Sequence, residues 1–468
     1  MSLRLYDTGT RTLREFKPRT AGHVGIYICG LTVQGPPHIG HLRSGVSYDV
    51  LINWLRHSGY QVTNVRNVTD IDDKIFVRGE EQGRPWWSIA YENERILGEG
   101  YADLGVEPPT YEPRATGHIP DMIDLINELI DAGHAYVADN GDVYFSVASD
   151  PEYGCLSHRK PEDMLSTGDG TDSLKRDPRD FGLWKAAKPT EPRDGSWTSP
   201  WGRGRPGWHI ECSAMARRYL GDSFDIHGGG TDLMFPHHEN ELAQSRGAGL
   251  GFTNFWVHNG ILNLAGTKMS KSLGNTLGVP ALGEQGYQPV GIRYYLVSGH
   301  YRSAMDFSEK ALGEAQAAYN RLANFINRAS ELLGVDATAI GTLPKAFTDA
   351  MDDDINTPAA LAVVHEHARE GNAALDSGDH SSATNAAAAT RSMLGLLGLD
   401  PLSVQWSSSS SDDKLSAAVD SLVALALEQR QAARERRDFA AADQIRDQLS
   451  DAGIDVKDTP QGPRWSLS

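Results

Sequence analysis

VGIYICGLTVQGPPHIGH, residues Val24 to His41, is the stretch that decides the fold. Val24, Ile26 and Ile28, set among β-branched and aromatic neighbours, read as a buried strand. Gly30 ends it, and Pro36-Pro37 forbids any continuation. From Ile39 onward the apolar residues Leu42, Val46, Val50, Leu51 and Leu55 fall at three- and four-residue steps, the period of a helix. His38 and His41 therefore stand where a strand hands over to a helix N-terminus. Free N–H groups and the helix dipole make that point receptive to a phosphate. Two imidazoles there can donate hydrogen bonds to charge developing on it. Taken alone, histidines near a helix start are mostly structural.

A second signal is KMSKS, Lys268 to Ser272, followed by Leu273, Gly274 and Asn275. Its two lysines flank small residues just after the apolar stretch Ile261–Leu264. One reading is a solvated basic loop. The other is a mobile clamp on a polyphosphate, where ammonium groups act as point charges. HIGH followed by KMSKS resembles the signature pair of class I aminoacyl-tRNA synthetases. The flanking text YICGLT, NVTDIDDKI, PGWHIECSAM, DIHGGGTDLMFPHHENELAQS and GTKMSKSLGN is similar to cysteinyl-tRNA synthetases in particular. The resemblance runs from Leu5 to the closing GPRW of Gly462–Trp465. The HIGH element departs from the commoner family text only at VQGPP, before the first histidine.

Bulk composition limits the alternatives. The chain has 468 residues, enough for several domains. It is 40% hydrophobic and 23% charged, as a globular protein is. The opening MSLRLYDTGT lacks the apolar run of a secretory leader, and no segment has the length of a membrane span. Only 3 cysteines, Cys29, Cys155 and Cys212, argue against a disulfide framework and for a reducing, cytoplasmic setting. A net charge of -18 discourages indiscriminate nucleic-acid binding. A specific RNA must then be met by local basic patches such as Arg203/Arg205, Arg217/Arg218 and Arg434/Arg436/Arg437.

The expected class is α/β: a class I Rossmann-type nucleotide-binding catalytic domain with a connective insertion, then a helical bundle and a small C-terminal α/β module. Residues 1–115 form the first half of the catalytic domain, with a helix over 39–58 and a strand over 61–69. The acidic knot Asp70, Asp72, Asp73 follows that strand. Asp72 and Asp73 suit either a ligand site or a helix cap. Residues 116–205 are the insertion: a helix at 120–132, a hairpin around Asn140-Gly141, and a loop-dominated remainder from Glu152. Residues 206–300 complete the catalytic domain with the Gly228-Gly229-Gly230 turn and a helical run to Gly247. Residues 301–400 suit a helix bundle. Residues 401–413, with five consecutive serines from Ser407, read as a flexible linker. Residues 414–468 form the last module: two helices with Asp438 as a cap between them, and a short β tail.

A metal site is also written in the residue types. Cys29 and Cys212 lie at element ends facing one cleft, and His237 and Glu241 share a helix face at i,i+4. Two thiolates, an imidazole and a carboxylate suit zinc. Spacing leaves His238 open as well, since it lies i,i+3 from Glu241. The resemblance selects Cys29, Cys212, His237 and Glu241. Cys155 reads as structural or incidental.

The resemblance further implies an enzyme that joins L-cysteine to tRNA(Cys) through cysteinyl-adenylate, with Mg2+ accompanying ATP. His38 and His41 would stabilise the transition state, and Lys268 and Lys271 the leaving pyrophosphate. Gly40, Gly229 and Asp232 would join His38, His41 and Lys271 around ATP. Gly30, Thr69 and Trp208 would shape the amino-acid pocket. A monomer is expected. The closest rival is the related ligase that joins cysteine to a glucosaminyl-inositol. A binding protein with a structural zinc and a zinc hydrolase are further rivals. The intact HIGH and KMSKS elements oppose the first, and four protein ligands on the metal oppose the second.

Overall fold

The computed structural model describes residues 2–160, 174–264, 267–268, 277–334, 341–459 and 462–467. Two compact units divide the chain, Met1–Asp400 and Pro401–Ser468.

The first unit opens with the hairpin β1 (Arg4–Asp7) and β2 (Thr12–Glu15). β3 (His23–Ile28), α1 (Ile39–His57), β4 (Gln61–Arg66), α2 (Asp73–Gln82) and α3 (Trp86–Asp103) follow. α4 (Ile119–Asp131) leads into an antiparallel sheet of β5 (Ala135–Val137), β6 (Val143–Phe145), β7 (Phe181–Ala186), β8 (Trp197–Ser199) and β9 (Gly202–Pro206), ordered β5-β6-β7-β9-β8. The chain then returns through α5 (Trp208–Leu220), β10 (Phe224–Gly230), α6 (Glu239–Gly247) and β11 (Thr253–Asn259).

The strands of the two halves assemble into one parallel sheet ordered β11-β10-β3-β4. β3 is buried almost throughout, with Val24, Ile26 and Tyr27 at 0% exposure, as a strand covered on both faces must be. Its neighbours are β4 from the first half and β10 from the second, so the strand order reverses there. Ligands of open α/β sheets bind outside the carboxyl ends of the strands at such a reversal. Cys29 follows the end of β3, and Gly230 ends β10.

β12 (Leu262–Leu264) and β13 (Thr267–Lys268) come next, then α7 (Val279–Glu284), α8 (Pro289–Ser298) and β14 (Met305–Phe307). α9 (Glu309–Leu333), α10 (Lys345–Asp352), α11 (Thr357–Ser377) and α12 (His380–Leu396) form the expected helical bundle. The second unit holds α13 (Val404–Glu435), α14 (Phe439–Asp451) and the antiparallel pair β15 (Ile454–Thr459) and β16 (Gly462–Leu467). Asp438 caps α14, its Oδ1 accepting from Ala441 N at 3.1 Å.

One expectation is extended and one changes. The described residues after Glu152 are mostly loop, as expected, but they also carry β7, β8 and β9, which complete the insertion sheet. Their glycines hid the strands. At Gly204 a Cβ would overlap the Lys185 carbonyl and the Trp184 indole, so close packing demands glycine there. The serine run Ser407–Ser411 is also not a linker in backbone terms, since it lies within α13. Serine costs only a few tenths of a kcal/mol per residue against alanine, roughly, so five can be carried by a long helix.

Candidate active site

The handover from β3 to α1 is built by the two histidines themselves. His38 caps α1: its Nδ1 accepts from His41 N at 3.3 Å, while His41 Nδ1 accepts from His38 N at 3.4 Å. The rings stack with centroids 3.5 Å apart. Gly40 leaves room for this, since a Cβ there would sit 3.0 Å from His38 Nδ1. The pair faces a cleft of about 640 Å³, within the usual range for small-ligand sites. Cys29, Gly30, Trp208, Gly230, Asp232 and Leu262 line the same cleft.

Gly30 has to be a glycine, because any Cβ would overlap the Asn67 carbonyl oxygen. Its N–H donates to Asn67 Oδ1 at 2.8 Å. Asn67 Nδ2 in turn donates to Thr69 Oγ1 at 3.3 Å, and Thr69 Oγ1 donates to Glu211 Oε2 at 2.9 Å. Thr69 is thus buried behind the cleft wall, tied to α5. The N–H of Gly229 is held by the Tyr48 hydroxyl at 2.6 Å. Asp72 proves to be a cap: its Oδ1 accepts from Lys74 N at 2.8 Å. Asp73 pairs with Lys185 at 3.0 Å and with Arg205, both on the insertion sheet. The backbone of Lys268 closes β13, paired with Asn263 of β12. Lys271 lies outside the described residues.

Four ligand-type atoms converge beneath Trp208. Cys29, Cys212, His237 and Glu241, all buried, bring one donor atom each within 4.8 Å of one another. Cys29 Sγ is 3.6 Å from Cys212 Sγ and 3.5 Å from Glu241 Oε1, which lies 3.1 Å from His237 Nε2. A tetrahedral ion bonded at about 2.0–2.3 Å needs donors roughly 3.3–3.8 Å apart, so the set fits zinc closely. Burial pushes both thiols and the Glu241 carboxyl up and the His237 imidazole down, disfavouring the charged form of each. A divalent cation inverts that preference.

The surrounding residues orient the set. His209 Nδ1 lies 2.9 Å from His237 Nδ1, and His227 Nε2 lies 2.9 Å from Glu241 Oε2. Trp208 stacks on His237 at 4.2 Å. His238 faces Cys29 instead, its Nε2 3.3 Å from the sulfur, and its Nδ1 bonds His258 Nε2 at 2.8 Å. A second group, Cys29, His227, His238 and Glu241, also converges, but it omits Cys212. The set with both thiols contains His237.

A parallel sheet with a histidine-capped helix at its strand-order reversal, an insertion between its halves and a helical bundle behind it defines a class I aminoacyl-tRNA synthetase. Comparisons with known proteins agree. Residues 15–317 match the class I (C) tRNA synthetase catalytic domain, 346–401 the DALR domain, and 412–465 the cysteinyl-tRNA ligase anticodon binding domain. The Mycobacterium tuberculosis methionyl-tRNA synthetase bound to methionyl-adenylate shares the fold, at a TM-score of 0.58 and 14% identity over 81% of this chain and 90% of that one. An Agrobacterium radiobacter leucyl-tRNA synthetase in a ternary complex gives 0.58 and 12% over 83% and 85%. The cysteine–tRNA ligase of Streptomyces coelicolor is 54% identical over all of this chain and 76% of its own length. That of Nocardioides is 54% identical over all of both chains. The chain belongs to the cysteine–tRNA ligase family and is an aminoacyl-tRNA ligase.

Among the described residues no helix is long and apolar enough to cross a membrane.

Proposed function

We propose that this chain activates L-cysteine with ATP to cysteinyl-adenylate and passes the cysteinyl group to the 3′ end of tRNA(Cys). The observation that carries the reading is the convergence of Cys29, Cys212, His237 and Glu241 beside the cleft that Cys29 and Trp208 line. These four would hold zinc. A bound zinc ion would supply a soft Lewis acid that accepts a cysteine sulfur far better than a serine hydroxyl. Cysteine and serine differ little in shape, and a site that bonds the distinguishing group can reject its analogue by roughly 10⁴–10⁵ without editing.

The chain's own residues do the rest by positioning and charge. The cysteine carboxylate attacks the α-phosphorus of ATP, and pyrophosphate leaves. His38 and His41, fixed by their mutual caps, present imidazoles at the N-terminus of α1, where the phosphate gains negative charge. Gly40 allows the phosphate to approach the helix backbone. Lys268 and Lys271 neutralise the pyrophosphate, with Mg2+ accompanying the nucleotide. Gly229 and Asp232 stand on the nucleotide side, and Gly30, Thr69 and Trp208 shape the amino-acid pocket. The ribose hydroxyl of the tRNA terminus then attacks the adenylate carbonyl, and AMP departs. We place the protein in the cytoplasm, acting as a monomer.

The rival acceptor is a glucosaminyl-inositol amine. The match of residues 412–465 to an anticodon binding domain supports tRNA instead. Aminoacylation run in parallel with tRNA and with the sugar amine tests the choice. Charging of tRNA alone is expected, and turnover of the amine alone would overturn the reading.

A further inference from the structure

α2 stands between the insertion and the cleft. Asp72 caps its N-terminus. Asp73 faces the insertion sheet, where Lys185 and Arg205 hold it and Glu191 holds Arg205 at 2.9 Å. One turn on, the Phe76 ring packs 5.6 Å from the Trp86 ring, whose Nε1 donates to Asp194 at 3.1 Å. The helix is therefore clamped on its outer side. Its other face presents Lys74 and Arg78 to the cleft, beside His38, His41 and Trp208.

Both cations are exposed and sit at i,i+4, which places their Cβ atoms about 5–6 Å apart. That is comparable to the step between successive phosphates of a nucleic-acid strand. Among the described residues the Lys74 ammonium has no ion-pair partner. Among them Arg78 pairs only with Glu81, at 2.8 Å and with both side chains about half exposed. Such a surface pair is held weakly and exchanges readily for a phosphate. In a chain of net charge -18, two cations aimed into one cleft need an anionic partner.

ATP is one candidate, but its phosphates already have the α1 N-terminus and the lysines after β12. The other polyanion that must enter is the single-stranded end of the tRNA. We infer that Lys74 and Arg78 grip the backbone phosphates of the tRNA 3′ end and hold its terminal ribose over the adenylate. They are binding residues for the second half-reaction. The inference rests on the two-step reading above.

The test is the full-length Lys74→Gln/Arg78→Gln variant in two assays: cysteine-dependent pyrophosphate exchange without tRNA, and tRNA charging across a salt series. Exchange should keep most of its rate. Charging kcat/KM should fall on the order of 10²-fold, about tenfold per lost charged contact. The slope of log kcat/KM against log salt should flatten by roughly 1.4, the value for two single-strand contacts. Lys74→Arg/Arg78→Lys, which keeps both charges, should recover most of the loss. An exchange defect that matches the charging defect, with a raised KM for ATP, would assign the cations to ATP and overturn the proposal. So would unchanged charging. Absence of exchange in the parent protein would instead remove the two-step reading itself.

Discussion

The sulfur of Cys29 lies 3.6 Å from that of Cys212, unbonded, although 183 residues separate them. Cys29 follows β3 and Cys212 sits one turn into α5, so the assembled parallel sheet brings them together. Two buried thiols at this spacing, with a carboxylate and an imidazole beside them, have the form of half a tetrahedral site.

The first prediction follows from that pair. Cys212→Ser should purify with well under one zinc per chain, whereas Cys155→Ser should keep its metal. Cys155 is exposed, and its contact is Arg246 Nη1 at 3.2 Å rather than the buried set. In cobalt-substituted protein, cysteine should change the visible spectrum and serine should not. A spectrum indifferent to cysteine would make the metal structural.

Gly30→Ala is the second prediction. The added methyl would overlap the Asn67 carbonyl, and β3 and β4 lie too close to part cheaply. Overpacking of this kind costs roughly 1–3 kcal/mol. The same shift disturbs the Gly30 N–H bond to Asn67 and the cysteine next to it. Amino-acid activation should fall by at least tenfold while the melting temperature drops by several degrees. Wild-type KM for cysteine in this variant would remove Gly30 from the pocket.

These residues also mark how far the sequence could be read. The β3–α1 handover was legible because both periods, two and then near 3.6, occur within Val24–Leu55, with Gly30 and the prolines between. The insertion sheet was not, because strands of three to six residues containing Gly182, Gly202 and Gly204 carry no alternation. The start of α13, before residue 414, was missed for the opposite reason: its serines look like a linker by composition, and only the flanking helix-forming residues carry them. At the site, the residue types of the candidate ligands could be read, with His237 and His238 both allowed by spacing, but not their partners. His209 and His227 orient His237 and Glu241 from another helix and another strand, and no local pattern links them. His227 did carry one signal, its place in the buried strand that runs into the glycine triplet.

Arg43 supplies the third prediction. It is fully buried two residues after His41. Its Nη1 donates to the carbonyls of Gly260 and Ile261 at 2.8 Å each, and its Nη2 to those of His300 and Ser303 at 3.2 and 2.6 Å. One side chain thus ties the catalytic helix to the segment entering β12, which leads to Lys268. Arg43→Met keeps the bulk and removes all four bonds; the Gly260, Ile261 and His300 carbonyls keep donors in Asn259 Nδ2, Met305 N and Ser303 N, so the Ser303 carbonyl bears the main cost, about 1–3 kcal/mol before relaxation. The variant should melt several degrees lower, and its KM for ATP should rise more than its KM for cysteine. Arg43→Lys should recover part of both, since an ammonium cannot span the same fork. Equal effects on the two substrates would reduce Arg43 to a general staple.

The fourth prediction separates activation from recognition. Met1–Asp400 and Pro401–Ser468 are distinct compact units, and α13 begins at Val404, so a cut after Pro401 severs no element of the first unit. Every residue assigned above to activation lies before the cut. The basic segment Arg434, Arg436 and Arg437 lies after it, at the turn between α13 and α14, where Arg437 has a φ of 59° and Asp438 caps α14. Three arginines at a helix junction can meet several phosphates, and an acidic chain has few other places to do so. The truncated protein should carry out cysteine-dependent pyrophosphate exchange at close to the full-length rate. Its charging of tRNA should fall on the order of 10²-fold, with a weaker dependence on salt. If it charges tRNA as well as the full chain does, residues 401–468 are not a recognition module, and the preference for tRNA over a sugar amine loses its main support.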